Sequence, residues 1–140
     1  MRAVVVGIVL LICLVASLAS SALAGDDDVA TAQTIIRSQE QAFTHDDAAV
    51  AYSFAAPAIH KLFQDADEFM AMVRRGYGPV YRYKSFEFGE GRAADGRIAQ
   101  TVRIIDADGN PWDALYTLEQ EVDGSWKITG CILKAVGQSA

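Results

Sequence analysis

A chain of 140 residues, 51% hydrophobic and 21% charged, has the composition of a folded protein and the length of one domain around a single core. Lys and Arg number 12 against 18 Asp and Glu, a net charge of −6 at pH 7, which argues against a nucleic-acid backbone or an anionic lipid surface as partner.

The chain opens with a segment of its own character. Met1 to Ala24 carries one charge, Arg2, then an apolar stretch from Ala3 to Leu18, then small residues ending in Ala22-Leu23-Ala24. This pattern predicts a secretory signal peptide cut after Ala24, which delivers the protein to the periplasm or the medium without stable membrane insertion. The alternative is an uncleaved anchor, because the uncharged run approaches the roughly 20 residues of a spanning helix. Cys13 follows Ile12 rather than a small residue, which argues against a lipoprotein. Cleavage leaves residues 25–140 as a single domain with one cysteine, Cys131, so no internal disulfide can form. Its place near the end of the last predicted strand favours a buried, inert thiol over one paired with another chain.

Asp26 to Asp28 can cap a helix from Val29, with Ile35, Ile36, Ala42 and Phe43 along one side. Thr44 to Asp47 interrupts it, and a second helix carries Val50, Ala51, Phe54 and Ala55 inward until Pro57 forces a break. The third helix has Asp65 as cap, Asp67 and Glu68 in its first turn, Arg74 and Arg75 in its last, and Gly76 as a left-handed stop. Its stripe of Phe69, Met72 and Val73 reads as core.

After Gly78-Pro79 the period becomes two. Val80 to Phe88, Ile98 to Asp106, Trp112 to Gln120 and Trp126 to Leu133 are predicted strands, and Asp95-Gly96, Asp108-Gly109 and Asp123-Gly124 are predicted hairpin turns, since both residue types tolerate positive φ. No helix separates the strands, so the sheet is an antiparallel meander with one apolar face that the helices must cover. The expected fold class is α+β.

Helices first, a Pro-broken second helix, then a four-stranded meander resembles the nuclear transport factor 2-like superfamily, which includes SnoaL-like proteins and ketosteroid isomerase. That resemblance implies a curved sheet and a cone with a pocket at its open end. Ser38-x-x-x-Ala42-Phe43, Phe54-Ala55-Ala56-Pro57-x-Ile59, Phe69-x-x-Met72-Val73-Arg74-x-Gly76-Tyr77 and Ser125-Trp126-x-Ile128-x-Gly130 resemble, within it, the exported bacterial family catalogued as domain of unknown function 4864. The family implies no activity, substrate, cofactor or catalytic residue.

An isomerase or lyase of the SnoaL kind needs a carboxylate or histidine base and a proton-donating tyrosine in a dry pocket. The catalytic candidates are Asp113, which strand parity turns away from Trp112 and Tyr116, and His60, beyond Pro57. His45 reads as a solvated loop residue. No metal site is expected, for there is no His pair at ligand spacing, and Asp106-x-Asp108-Gly109-Asn110 reads as turn chemistry rather than a calcium loop. No cofactor is implied.

Ligand-binding candidates are Tyr77, Arg82, Trp112 and Tyr116, with Tyr52 and Phe63 as further pocket lining. Tyr77, Tyr81, Tyr83 and Arg82 cluster where the last helix meets the first strand and could offer stacking surface, hydroxyls and one positive charge. The expectation is a small-molecule-binding or interaction module without enzymatic activity. A homodimer joined through Leu115 and Leu133 on the outer sheet face is the structural alternative, and the SnoaL-like enzyme the catalytic one.

Overall fold

The computed structural model describes residues 16–137, with side chains from residue 25 onward. The first fifteen positions of the predicted secretory segment lie outside the described residues. Five helices precede four strands: α1 (Ala16–Thr44), α2 (Ala48–Ser53), α3 (Pro57–Leu62), α4 (Ala66–Gly76), α5 (Gly78–Tyr81), then β1 (Tyr83–Ala94), β2 (Arg97–Asp106), β3 (Pro111–Gln120) and β4 (Trp126–Ala135). The sheet is an antiparallel meander in the order β1-β2-β3-β4. The helices cover its apolar face, and the core joins Ile36, Phe43 and Met70 to Ile104, Tyr116 and Leu118.

Several boundaries differ from the sequence expectation. The first helix starts at Ala16 rather than Val29, because the Ala- and Ser-rich run before Gly25 continues it; Asp26 to Asp28 therefore lie inside the helix and do not cap it. Asp47 and Asp65 do cap α2 and α4, accepting from Val50 N at 3.1 Å and Glu68 N at 2.8 Å. Gly76 is the last residue of α4 and not a left-handed stop: Tyr77 takes the C-cap with φ −131° and bonds Val73 O. The first strand begins at Tyr83, since Pro79 near the start of α5 winds Gly78–Tyr81 into one more turn.

Of the three Asp-Gly pairs, the first alone places both residues at positive φ, Asp95 at 52° and Gly96 at 72°, as a two-residue hairpin requires. In the longer second and third connections the glycine alone is positive, at 87° for Gly109 and 86° for Gly124. The preceding carboxylates brace these loops. Asp106 accepts from Asp108 N, Asn110 N and Trp112 Nε1, and Asp123 from Ser125, so each carboxyl titrates below its ordinary range.

Three register shifts shape the sheet, one of them at the start of β1 between Tyr83 and Ser85. In β1 the register slips between Phe88 and Gly91, which lets the strand run past two glycines to Ala94. In β4 Leu118 faces Ile128 but Thr117 faces Gly130, so Thr129 is the extra residue. Its hydroxyl donates to that of Thr117 at 2.9 Å. Beyond this bulge the alternation changes phase. Cys131 and Leu133 turn toward the core, opposite Tyr116 and Ala114, and Ile132 turns out, 67% exposed. Leu133 was expected on the outer face; one inserted residue reverses it.

Candidate functional site

The same bulge builds one wall of a cavity of about 290 Å³ between the helices and β4. From β4 come Ile128, Thr129, Gly130 and Cys131, and from β3 Tyr116. Helix α1 contributes Gln39 and Phe43, while α4 contributes Phe69, Met72 and Val73. Tyr77 and Val80 close one side, and Ile59, Leu62 and Phe63 of the α3 segment stand at the other. Leu62 is 72% exposed, so the α3 side is where the cavity meets solvent. No residue of α3 is fully buried. It is held by His60, whose Nε2 lies 2.9 Å from Tyr52 O and whose ring stacks 3.7 Å from that of Tyr52, and by the Tyr52 hydroxyl donating to Phe63 O at 2.5 Å.

The polar groups on the wall are uncharged. The Tyr77 hydroxyl donates to Cys131 O at 3.0 Å. Tyr116 and Cys131 are direct cross-strand neighbours on β3 and β4. Burial is the main cause that raises all three titrations: Tyr77 upward, Tyr116 well above its ordinary value, and Cys131 pushed up to about 12. Each group therefore keeps its proton through the physiological range. Gln39 is buried and its Nε2 donates to Ala51 O at 3.1 Å.

Of the predicted ligand-binding residues, Tyr77 and Tyr116 line this cavity together, with Phe63 beside them. Arg82 and Trp112 stand outside it. The guanidinium of Arg82 bonds Phe43 O at 3.0 Å and both oxygens of Asp46 at 3.1 and 3.2 Å, and lies 4.0 Å over the Tyr81 ring, so it latches the α1–α2 turn to α5. Trp112 is four residues from Tyr116 along β3, roughly 13 Å, and its indole N–H is bonded to Asp106. The two catalytic candidates also point elsewhere: Asp113 is exposed and paired with Arg103 at 2.7 Å, and His60 is on the exposed side of α3.

Sequence reasoning missed Gln39 as a wall residue and took Cys131 for inert filler. The signal for Gln39 was present. It falls four residues after Ile35 and four before Phe43, in the middle of the apolar stripe of α1, where a polar side chain needs a reason. For Cys131 the burial was expected, and its facing depends on the bulge, of which Gly130 within the strand was the one local sign.

A comparison with curated proteins finds no match. Among solved structures, the chain is similar to an NTF-2 like protein of unknown function from Silicibacter pomeroyi DSS-3, with TM-score 0.50 and 16% identity over 79% of this chain and 97% of that one. That likeness agrees with helices laid on a four-stranded antiparallel sheet. The family model for domain of unknown function 4864 matches residues 25–140, and with that match across the whole α+β domain the chain belongs to this family.

Proposed function

We propose that this protein is a non-enzymatic binding module that holds a small molecule in the cavity under α3 and α4, working in the periplasm or medium after Met1–Ala24 is removed. The observation that supports binding is the cavity itself: about 290 Å³, at the lower end of the range of small-molecule sites, mostly apolar, with a few convergent polar groups. The reading as a binder rather than a catalyst draws on the wall chemistry. Acid–base catalysis works best with a group that titrates near the operating pH, whereas the Tyr116 phenol and Cys131 thiol are both raised. A SnoaL-like lyase or isomerase gains no base here from Asp113 or His60, neither of which lines this space. Titration of the protein into 1-aminoanthracene, an uncharged fluorophore of suitable size, tests the reading: saturable enhancement of emission is expected. Emission that stays flat at high protein concentration eliminates it.

A second reading, a structural homodimer, has one observation in its favour. Leu115 and the exposed Ile132 are cross-strand neighbours on the outer face of the sheet. Sedimentation of the wild type and of Ile132→Asp decides it; a wild type that sediments as a monomer at high micromolar concentration removes the dimer.

A further inference from the structure

Resting on the binding reading, we infer that the cavity selects an uncharged ligand with an apolar body and a hydroxyl head, and excludes carboxylates and amines of the same size. The wall has no side chain that can neutralise a charge. Its residues are apolar or are Gln39, Tyr77, Tyr116, Thr129 and Cys131. Of the cations that adjoin wall residues in sequence, Arg74 and Arg82 are drawn to Asp46, Arg82 also to Phe43 O, and neither Lys61 nor Arg75 lines the cavity. The buried carboxylate of Glu40 is paired with Arg37 at 2.9 Å and bonded by the Tyr83 hydroxyl, so it offers no free charge to an amine. A charged ligand would give up its hydration and find no partner, and an unpaired buried charge outweighs the burial of a short alkyl chain.

The head group follows from the hydrogen-bond inventory. Gln39 is 4% exposed and uses an amide N–H on Ala51 O; among the described residues none donates to its Oε1. The Tyr77 hydroxyl donates its hydrogen bond to Cys131 O and retains lone pairs. Among the described residues neither counts as a buried polar atom left unpartnered, but each keeps acceptor lone pairs that a ligand donor can use. A neutral O–H supplies one, and accepts in turn from the second Gln39 N–H.

Displacement of 1-aminoanthracene by 1-octanol, octanoate and octylammonium at about pH 7 is the test. We expect 1-octanol to displace the fluorophore at a concentration at least tenfold lower than either charged analogue. Octanoate or octylammonium acting as well as the alcohol overturns the inference while leaving the binding reading intact; absence of fluorophore binding would instead sink the binding reading. Gln39→Met removes the acceptor at nearly constant volume and should weaken 1-octanol roughly five- to tenfold with a cooperative melt retained. Tyr77→Phe provides the same comparison where Gln39→Met does not fold. Unchanged 1-octanol affinity in the folded variants overturns the assignment of the hydroxyl head.

Discussion

The Tyr77 hydroxyl reaches across 54 positions of sequence to donate to the carbonyl of Cys131 at 3.0 Å, tying the C-cap of α4 to the edge strand β4. One side chain thus joins the two walls of the cavity. Tyr77→Phe keeps the ring and orphans a part-buried carbonyl, which should destabilise the fold by about 1–2 kcal/mol. Urea unfolding at neutral pH reads this directly. A midpoint equal to wild type would show that the bond carries no net stability.

Alkaline pH should weaken the protein through Cys131. Its thiol is raised from an ordinary 9.0 to about 12 by burial, so above pH 9 the unfolded chain loses a proton that the folded one keeps. Stability is then level below about pH 9 and falls by up to about 1.4 kcal/mol per pH unit as pH climbs toward 12. Tyr77, Tyr83 and Tyr116, all raised chiefly by burial, add the same sign at higher pH. Cys131→Ala should flatten the first part of this slope relative to wild type in guanidinium titrations at about pH 8 and pH 10. Identical slopes in the two proteins would rule Cys131 out as the source.

Arg82 latches the α1–α2 turn to α5 and does not line the cavity. It and Asp46 are about half exposed, so their ion pair contributes little; the bond to Phe43 O adds a further increment. Arg82→Ala should cost about 1 kcal/mol in thermal unfolding and leave the fluorophore affinity of the cavity unchanged. A large loss of affinity without loss of stability would return Arg82 to the binding site.

Three glycines sort by mechanism. A Cβ on Gly91 would overlap Gln100 Oε1 and lie 2.6 Å from Val29 Cγ1, so Gly91→Ala must displace the buried Gln100 that Gln33 bonds at 3.1 Å, at about 1–3 kcal/mol. Gly124→Ala meets open space but sits at φ +86°, and should cost about 1 kcal/mol. Gly76→Ala, helical and uncrowded, should stabilise by about 0.5–1 kcal/mol. Differential scanning calorimetry of the three variants tests the ranking, and a destabilising Gly76→Ala would contradict the helical C-terminus assigned to α4.

Helix α3 should be the first element to open. It buries no residue fully and hangs on His60, Tyr52 and the apolar contacts of Ile59 and Phe63. Amide hydrogen exchange ought to be faster at Ile59 to Phe63 than in α1 or β3, and to slow when 1-aminoanthracene is bound. Protection of α3 equal to that of β3 would mean that the cavity has no yielding wall.

Local chemistry was enough to determine much of this molecule from its residue order. Asp65 announced a helix start because a carboxylate satisfies free N–H groups wherever it precedes a helix. Period-two patterning and Asp-Gly pairs set the meander, since strand alternation and positive φ are properties of neighbours in sequence. The same reasoning stopped at the β4 bulge. Whether Leu133 or Ile132 faces the core depends on one extra residue opposite Thr117, which is a relation between strands and leaves no mark in β4 alone. Because that bulge also aims Cys131 at Tyr116 and Tyr77, tertiary pairing decided the polar end of the cavity. It likewise decided that Arg82, beside Tyr81 in sequence and rich in possible partners, would turn away to Asp46. Propensity and patterning act over a few residues; the site is assembled by contacts between residues as far apart as the 54 positions that separate Tyr77 and Cys131.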